Sequence, residues 1–310
     1  MKSVKVFAPA TVANVVCGYD ILGFAVNQPG DEVVMRLTGG KGISITKITG
    51  DEGKLPLDPE KNTVSASVQH YLNHIGMPDT GVEIELHKKM PIGSGLGSSS
   101  ASTVAGLFAI NTLFDNRLSN RDLVPFAMKG EELACGYGHA DNVAPALMGG
   151  FVLIRSYEPL DIISLPFPQD FHAAIVYPEV DVPTKDARQM IRSKVQLKDA
   201  VTQWGNVAGL VSGLFLNDYG LIGRSMTDIL VEPVRSILIP DFAVLKSLAL
   251  ENGGLGFGIS GSGPSVFALT RDAETAAGIT ARLQQHLKKM DINSLAFVSE
   301  VNKKGPILLD

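Results

Sequence analysis

The sequence predicts an α+β fold in two halves, each a two-layer pairing of sheet and helices. Three observations carry this. Strand-like alternation and helical spacing interleave along the 310 residues, yet some strands return directly on one another, which a strictly alternating parallel sheet would not do. Hydrophobic residues make up 45% and charged residues 19%, enough to build a full core and to argue against disorder. The chain also changes direction near Gly149-Gly150, which places a boundary between residues 150 and 170 and assigns 1–160 to a first domain and 161–310 to a second.

In residues 2–7, Val4 and Val6 alternate with polar side chains and then meet Pro9, predicting a half-buried strand that runs into a loop over 9–23. Residues 32–37 and 42–48 read as further strands, and Val82, Ile84 and Leu86 alternate with Glu83, Glu85 and His87. Between them Val64, Val68, Tyr71, Leu72 and Ile75 share one helical face. After a glycine-rich stretch, Ala101, Val104, Ala105, Phe108, Ala109 and Leu113 recur at helical spacing. Ser119 with Asp122, in place of the usual Glu or Gln, resembles a capping box that opens a helix through Leu133. The second half begins with a strand at 173–177. Helical stretches follow around 184–191, 203–216 and 241–251, then two short apolar strands on either side of 261–264, a helix near 274–287 and a strand near 295–300.

Lys and Arg total 27 against 32 Asp and Glu, a net charge of −5, so nothing draws the chain generally to nucleic acid or an anionic membrane. Any anionic ligand must be held locally. Cys17 and Cys135 lie in no metal-ligand spacing and suggest a reducing compartment. The opening Met1-Lys2-Ser3 leads into no long apolar segment, and a cytoplasmic location is expected.

The most informative stretch is Pro91, Ile92, Gly93, Ser94, Gly95, Leu96, Gly97, Ser98, Ser99, Ser100 and Ala101. Glycines let the backbone turn tightly and bring several N–H groups against one ligand, and the helix that follows adds its positive dipole end. Such a loop suits a polyphosphate. No Gly-Lys-Ser or Gly-Lys-Thr closes it, so it is not a Walker A loop, and its spacing is not that of the dinucleotide fingerprint.

The Pro-x-Gly-x-Gly-Leu-Gly-Ser-Ser pattern of 91–99 resembles the phosphate loop of the GHMP small-molecule kinases. Two more segments resemble that family: Ala8-Pro9-Ala10-Thr11-Val12-Ala13-Asn14 with Gly18-Tyr19-Asp20-Ile21-Leu22-Gly23, and Gly258-Ile259-Ser260-Gly261-Ser262-Gly263-Pro264-Ser265-Val266. The resemblance implies an N-terminal mixed β/α ATP-binding domain, a ferredoxin-like two-layer C-terminal domain, ATP and Mg²⁺ as cofactors, and a homodimer. Segments 130–134, 139–145, 183–188, 232–235 and 239–240 are similar to the branch acting on L-homoserine, which makes O-phospho-L-homoserine in threonine biosynthesis.

That substrate is a zwitterion with one hydroxyl. Arg188 and Arg235 can form forked bonds to its carboxylate, and Asn14 and Asp20 supply acceptors for its ammonium and hydroxyl. The resemblance implies these four positions as substrate contacts, places Gly261 beside them, and puts His139, Asp141, Asn142 and Thr184 along the transfer path. It points to Glu131, with Ser98 or Ser99, as the magnesium ligands, and to Asn62, Val64 and Ser65 beside the base. Glu132 is the competing carboxylate, with a solvated role expected. Phosphoryl transfer rests mainly on alignment and charge stabilisation, so a strong base is not obligatory. Asp141 is the residue to test for that role, because the Asn142 amide has no useful proton affinity.

Overall fold

The computed structural model describes residues 2–180 and 190–309. Its first sheet has seven strands: β1 (Ser3–Ala13), β2 (Leu22–Leu37), β3 (Ile43–Thr49), β4 (Val82–His87), β5 (Phe151–Tyr157), β6 (Leu160–Leu165) and β11 (Ile307–Leu309). The main path runs β11-β1-β2-β4-β3, with β5 also pairing with β2 and β6 with β5. Among the described strands of this sheet only β3 and β4 pair in parallel, and the helix α1 (Thr63–His74) connects them. The alternating Val82, Ile84 and Leu86 turn into the core, as the period-2 pattern requires. Beneath them pack α1, α2 (Ser98–Leu113), α3 (Asn120–Cys135) and α4 (Ala140–Met148). Helix α2 is buried around nearly its whole circumference, so the loop ahead of it is anchored to the most constrained element of this half.

The second half follows a β-α-β-β-α-β course. Strands β7 (His172–Pro178), β8 (Gly256–Ile259), β9 (Val266–Thr270) and β10 (Ser294–Glu300) form an antiparallel sheet in the order β10-β7-β9-β8, the ferredoxin-like arrangement. Helices α5 (Leu197–Leu216), α6 (Tyr219–Ser225), α7 (Glu232–Arg235), α8 (Phe242–Glu251) and α9 (Ala273–Lys289) complete it. The two halves share a core. Val12, Phe24, Leu96 and Phe151 from one side pack with Phe171, Ile175, Leu210 and Phe267 from the other, and each fully buried Phe contributes on the order of 1.5–3 kcal/mol. This shared core fixes how the loops of one half meet those of the other.

Several elements differ from expectation. Strand β1 passes through Pro9 to Ala13, because the ladder shifts register between Pro9 and Thr11 and no hydrogen bond from a proline nitrogen is needed there. Strand β2 begins at Leu22, ten residues before the expected start at 32. Helix α4 carries Pro145 in its interior, and β5 and β6 are short; none of the three had a clear periodic signal. Helix α5 starts at Leu197 rather than 203. Of the helical stretch expected at 184–191, all but the last two residues lie outside the described range. The expected capping box is present: the Ser119 side chain accepts the Asp122 N–H, and the Asp122 carboxylate accepts the Ser119 N–H.

Candidate active site

Three loops meet at the start of α2. Gly93, Gly95 and Gly97 have φ of +71°, +79° and +65°, left-handed values that L side chains rarely adopt. Two of them are also needed for close approach. A Cβ on Gly95 would lie 2.5 Å from the Ser260 carbonyl oxygen, and one on Gly97 would lie 2.2 Å from Thr11 Oγ1. The C-terminal glycine loop is stitched to the first: Ser260 Oγ donates to the Gly95 carbonyl (2.8 Å), and the Ser265 N–H donates to the Ser94 carbonyl (3.1 Å). The N-terminal strand joins from the other side, where the Thr11 N–H donates to the Leu96 carbonyl (3.1 Å) and Thr11 Oγ1 donates to Asn142 Oδ1 (2.7 Å).

A cavity of about 310 Å³ opens above this junction. Its wall includes Asn62, Lys88, Ile92, the loop from Gly93 to Gly95, Gly97 to Ser100, Glu131, Asn142 and Gly261. Asn62 caps α1, accepting the Val64 N–H at 3.1 Å, so its position is set by the helix start. Glu131 is buried on α3, with one carboxylate oxygen accepting from Ser99 Oγ at 3.1 Å. Its other oxygen and Ser98 Oγ are buried without a hydrogen-bond partner. Leaving such groups unmatched costs about 1–3 kcal/mol each, which makes them a ready pair of donors for a metal ion. Burial pushes the Glu131 carboxyl up to about 7, against the opposing pull of the Ser99 hydroxyl and the Lys88 ammonium.

A second, smaller pocket lies behind Gly261. Asn14, Tyr19, Glu232, Arg235 and Gly261 are among its lining residues. The Gly261 carbonyl accepts from both Asn14 Nδ2 (2.9 Å) and Arg235 Nη1 (3.0 Å), and the buried Arg235 guanidinium sits 5.2 Å from the centre of the Tyr19 ring. Asn14 and Asp20 both have left-handed backbones, joined by an Asp20 N–H to Asn14 Oδ1 bond of 3.0 Å. Tyr157 holds this turn from outside by donating to the Asp20 carbonyl at 2.7 Å, while His139 Nδ1 stands 3.9 Å from the Asp20 carboxylate.

Two family models match the chain: the GHMP kinases N-terminal domain over residues 62–150 and the GHMP kinases C-terminal domain over 210–289. The chain belongs to the GHMP kinases. It is similar to the homoserine kinase of Chlorobium phaeovibrioides, 48% identical with all of both chains covered. A solved homoserine kinase from Cytophaga hutchinsonii superposes with a TM-score of 0.97 at 58% identity, covering 100% of this chain and 98% of that one. L. major mevalonate kinase in complex with R-mevalonate superposes with a TM-score of 0.72 at 15% identity over 96% of each chain, a likeness of fold alone.

Within this GHMP kinase, the residues singled out from sequence distribute unevenly. Asn14, Asp20, His139, Arg235 and Gly261 come together, as do Asn62, the glycine loop, Ser98, Ser99, Glu131 and Asn142. Asp141 is buried in the first turn of α4 and is not part of the cavity wall. Leu96 and Ala101 point into the core shared by the two halves, and Pro91 lines a neighbouring cleft. Val64 packs in the core of the first half, and Ser65 Oγ is spent on the Pro59 and Asn62 carbonyls, so neither reaches the cavity. Glu132 is exposed and takes Lys129 Nζ at 2.9 Å. Thr184 and Arg188 lie outside the described residues.

Sequence reasoning missed Lys88 and Asp31. They form a buried ion pair beneath the glycine loop, with Lys88 in the cavity wall. Burial pulls the Lys88 ammonium below the ordinary lysine range, and Asp31 opposes this. A signal was present: Lys88 continues the inward-facing series Val82, Ile84 and Leu86, and a lysine on the core face of a strand calls for a partner.

Proposed function

We propose that this chain transfers the γ-phosphoryl group of ATP to the side-chain hydroxyl of L-homoserine, giving O-phospho-L-homoserine in threonine biosynthesis. The observation that carries the reading is Gly261, which lines both the phosphate-loop cavity and the Arg235 pocket. A nucleotide on one side and an amino acid on the other would meet there. The names of the homoserine kinase relatives point to the same substrate.

The N–H groups of residues 93–99 and the start of α2 hold the polyphosphate. Arg235, with Arg188, takes the substrate carboxylate, and Asn14 and Asp20 take its ammonium and orient its hydroxyl. Glu131 and Ser98 fit Mg²⁺, which when bound neutralises charge on the phosphate oxygens. Asn142, fixed by Thr11, positions groups at the transfer point. Asp141 lies outside the cavity wall, which favours catalysis by alignment over catalysis by a base.

The part expected as a first domain, 1–160, binds the nucleotide, and the part expected as a second, 161–310, supplies the arginines and the C-terminal glycine loop, although β6 carries the first sheet on to Leu165 and β11 returns the chain's end to it. No described helix is long and apolar enough to cross a membrane; a cytoplasmic place is proposed from the sequence's cysteine usage. A homodimer fits the outer face of α5. Val201, Trp204 and Phe215 are exposed there, and no charged residue occurs between Asp199 and Asp218, so the face can meet a copy of itself without like-charge repulsion. The deciding assay supplies ATP and a panel of alcohols, including homoserine, mevalonate and galactose, and follows ADP release. Turnover with another alcohol and none with homoserine would overturn the substrate.

A further inference from the structure

The last three residues of the glycine loop and the first turn of α2 must be held rigidly if they are to align a triphosphate. Their backbone is tied from below by a buried cluster. Asp31 comes from β2, Lys88 follows β4, and Ser102 is one turn into α2. Lys88 Nζ donates to the Asp31 carboxylate, to the Ser98 carbonyl at 2.7 Å and to Ser102 Oγ at 2.8 Å, using all three of its protons. Both Asp31 oxygens are engaged in turn, since Oδ2 also accepts from Ser102 Oγ at 2.8 Å and Oδ1 accepts the Lys89 N–H at 2.9 Å. A sheet-borne ion pair therefore grips the carbonyl of Ser98, whose side chain faces the cavity beside Glu131.

We infer that Lys88 and Asp31 are positioning residues for phosphoryl transfer: together with Ser102 they lock the first turn of α2 so that Ser98 and Ser99 present their hydroxyls and N–H groups at the reacting phosphate. The geometry is selective. The clamp touches the phosphate end of the cavity, whereas the Arg235 pocket is built on the Gly261 carbonyl, which accepts from Asn14 and Arg235. Its buried partners also mean that neither residue can be replaced singly without stranding a charge. A packing role alone would be met by two uncharged side chains of similar volume. A positioning role would not, because a methionine cannot hold the Ser98 carbonyl.

This inference rests on the reading that ATP phosphates occupy the loop, and the experiment separates the two. Wild type, the double variant Asp31→Asn with Lys88→Met, and Ser102→Ala are assayed with ATP, Mg²⁺ and homoserine, with thermal unfolding measured alongside. The double variant should fold with cooperative melting and lose about 10²-fold in kcat/KM for MgATP, while KM for homoserine stays within about twofold. Ser102→Ala, which removes one hydroxyl and no charge, should shift the MgATP value in the same direction by several-fold. No wild-type turnover would sink the functional reading. Wild-type turnover matched by the double variant, or a homoserine KM that rises in step with that for MgATP, would overturn the positioning role. Should the double variant fail to fold, unchanged MgATP kinetics in Ser102→Ala would overturn it equally.

Discussion

Replacing Glu131 by Gln should make the ligand-free protein more stable and the enzyme nearly inactive. The carboxyl ordinarily ionises near 4.5, and burial in the fold pushes it up to about 7. Below pH 4.5 it is protonated whether the chain is folded or not, and no free-energy difference arises. As pH rises, the unfolded chain ionises first, so the folded state loses stability progressively until pH passes 7. A rise from 4.5 to about 7 corresponds to about 3 kcal/mol above that pH and to less than about 1 kcal/mol at pH 5. Gln does not titrate and can still accept the Ser99 hydroxyl, so it removes this cost and keeps the hydrogen bond. Denaturant unfolding without nucleotide or Mg²⁺ should show Glu131→Gln more stable than wild type by about 3 kcal/mol at pH 8, with most of the gain gone at pH 5. Kinase turnover at pH 8 should fall by at least about 10²-fold, as expected when a group that stabilises transition-state charge is lost. Equal or lower stability of the variant at pH 8, or a gain of the same size at both pH values, would refute the burial argument.

Arg235→Ala should raise KM for homoserine by about 10- to 100-fold, the equivalent of one or two charge-assisted hydrogen bonds, and leave KM for MgATP unchanged; steady-state kinetics varying each substrate in turn checks this. Gly95→Ala forces a Cβ within 2.7 Å of two carbonyl oxygens at a φ of +79°, and should destabilise the fold by about 2 kcal/mol or more and abolish ADP binding in calorimetry. Trp204→Glu places a charge at the centre of the exposed α5 face. On the proposed homodimer, sedimentation should find wild type dimeric and this variant monomeric at the same concentration, with turnover per chain as the control for folding and a monomeric wild type counting against the dimer.

Much of the site was legible because its requirements are local. Left-handed backbone at residues 93, 95 and 97 calls for glycine at those positions, and the apolar spacing that begins at Ala101 announces the helix behind them. The choice between Glu131 and Glu132 was only partly legible. Adjacent residues on a helix point about 100° apart, and it is the packing of α3 against α1 and α2 that turns Glu131 inward and leaves Glu132 in water with Lys129. Val64 and Ser65 show the reverse case, since a cap residue and the core positions after it read alike in sequence, and only Asn62 reaches the cavity.

The sequence by itself determined the α+β class and the glycine loop ahead of α2, because turn chemistry and periodicity act over a few residues; the groups proposed to meet a zwitterion came from the resemblance to a family, not from local pattern. Tertiary structure decided everything that depends on distance along the chain. Thr11 and Asn142 are 131 residues apart, Asn14 and Gly261 are 247 apart, and Lys88 finds Asp31 across 57. Lys88 meets Asp31 because β2 and β4 pair side by side, Thr11 meets Asn142 as α4 packs on β1, and Asn14 meets Gly261 once the shared core of Phe24, Phe151 and Phe267 has set the two sheets against each other; no local preference encodes these placements.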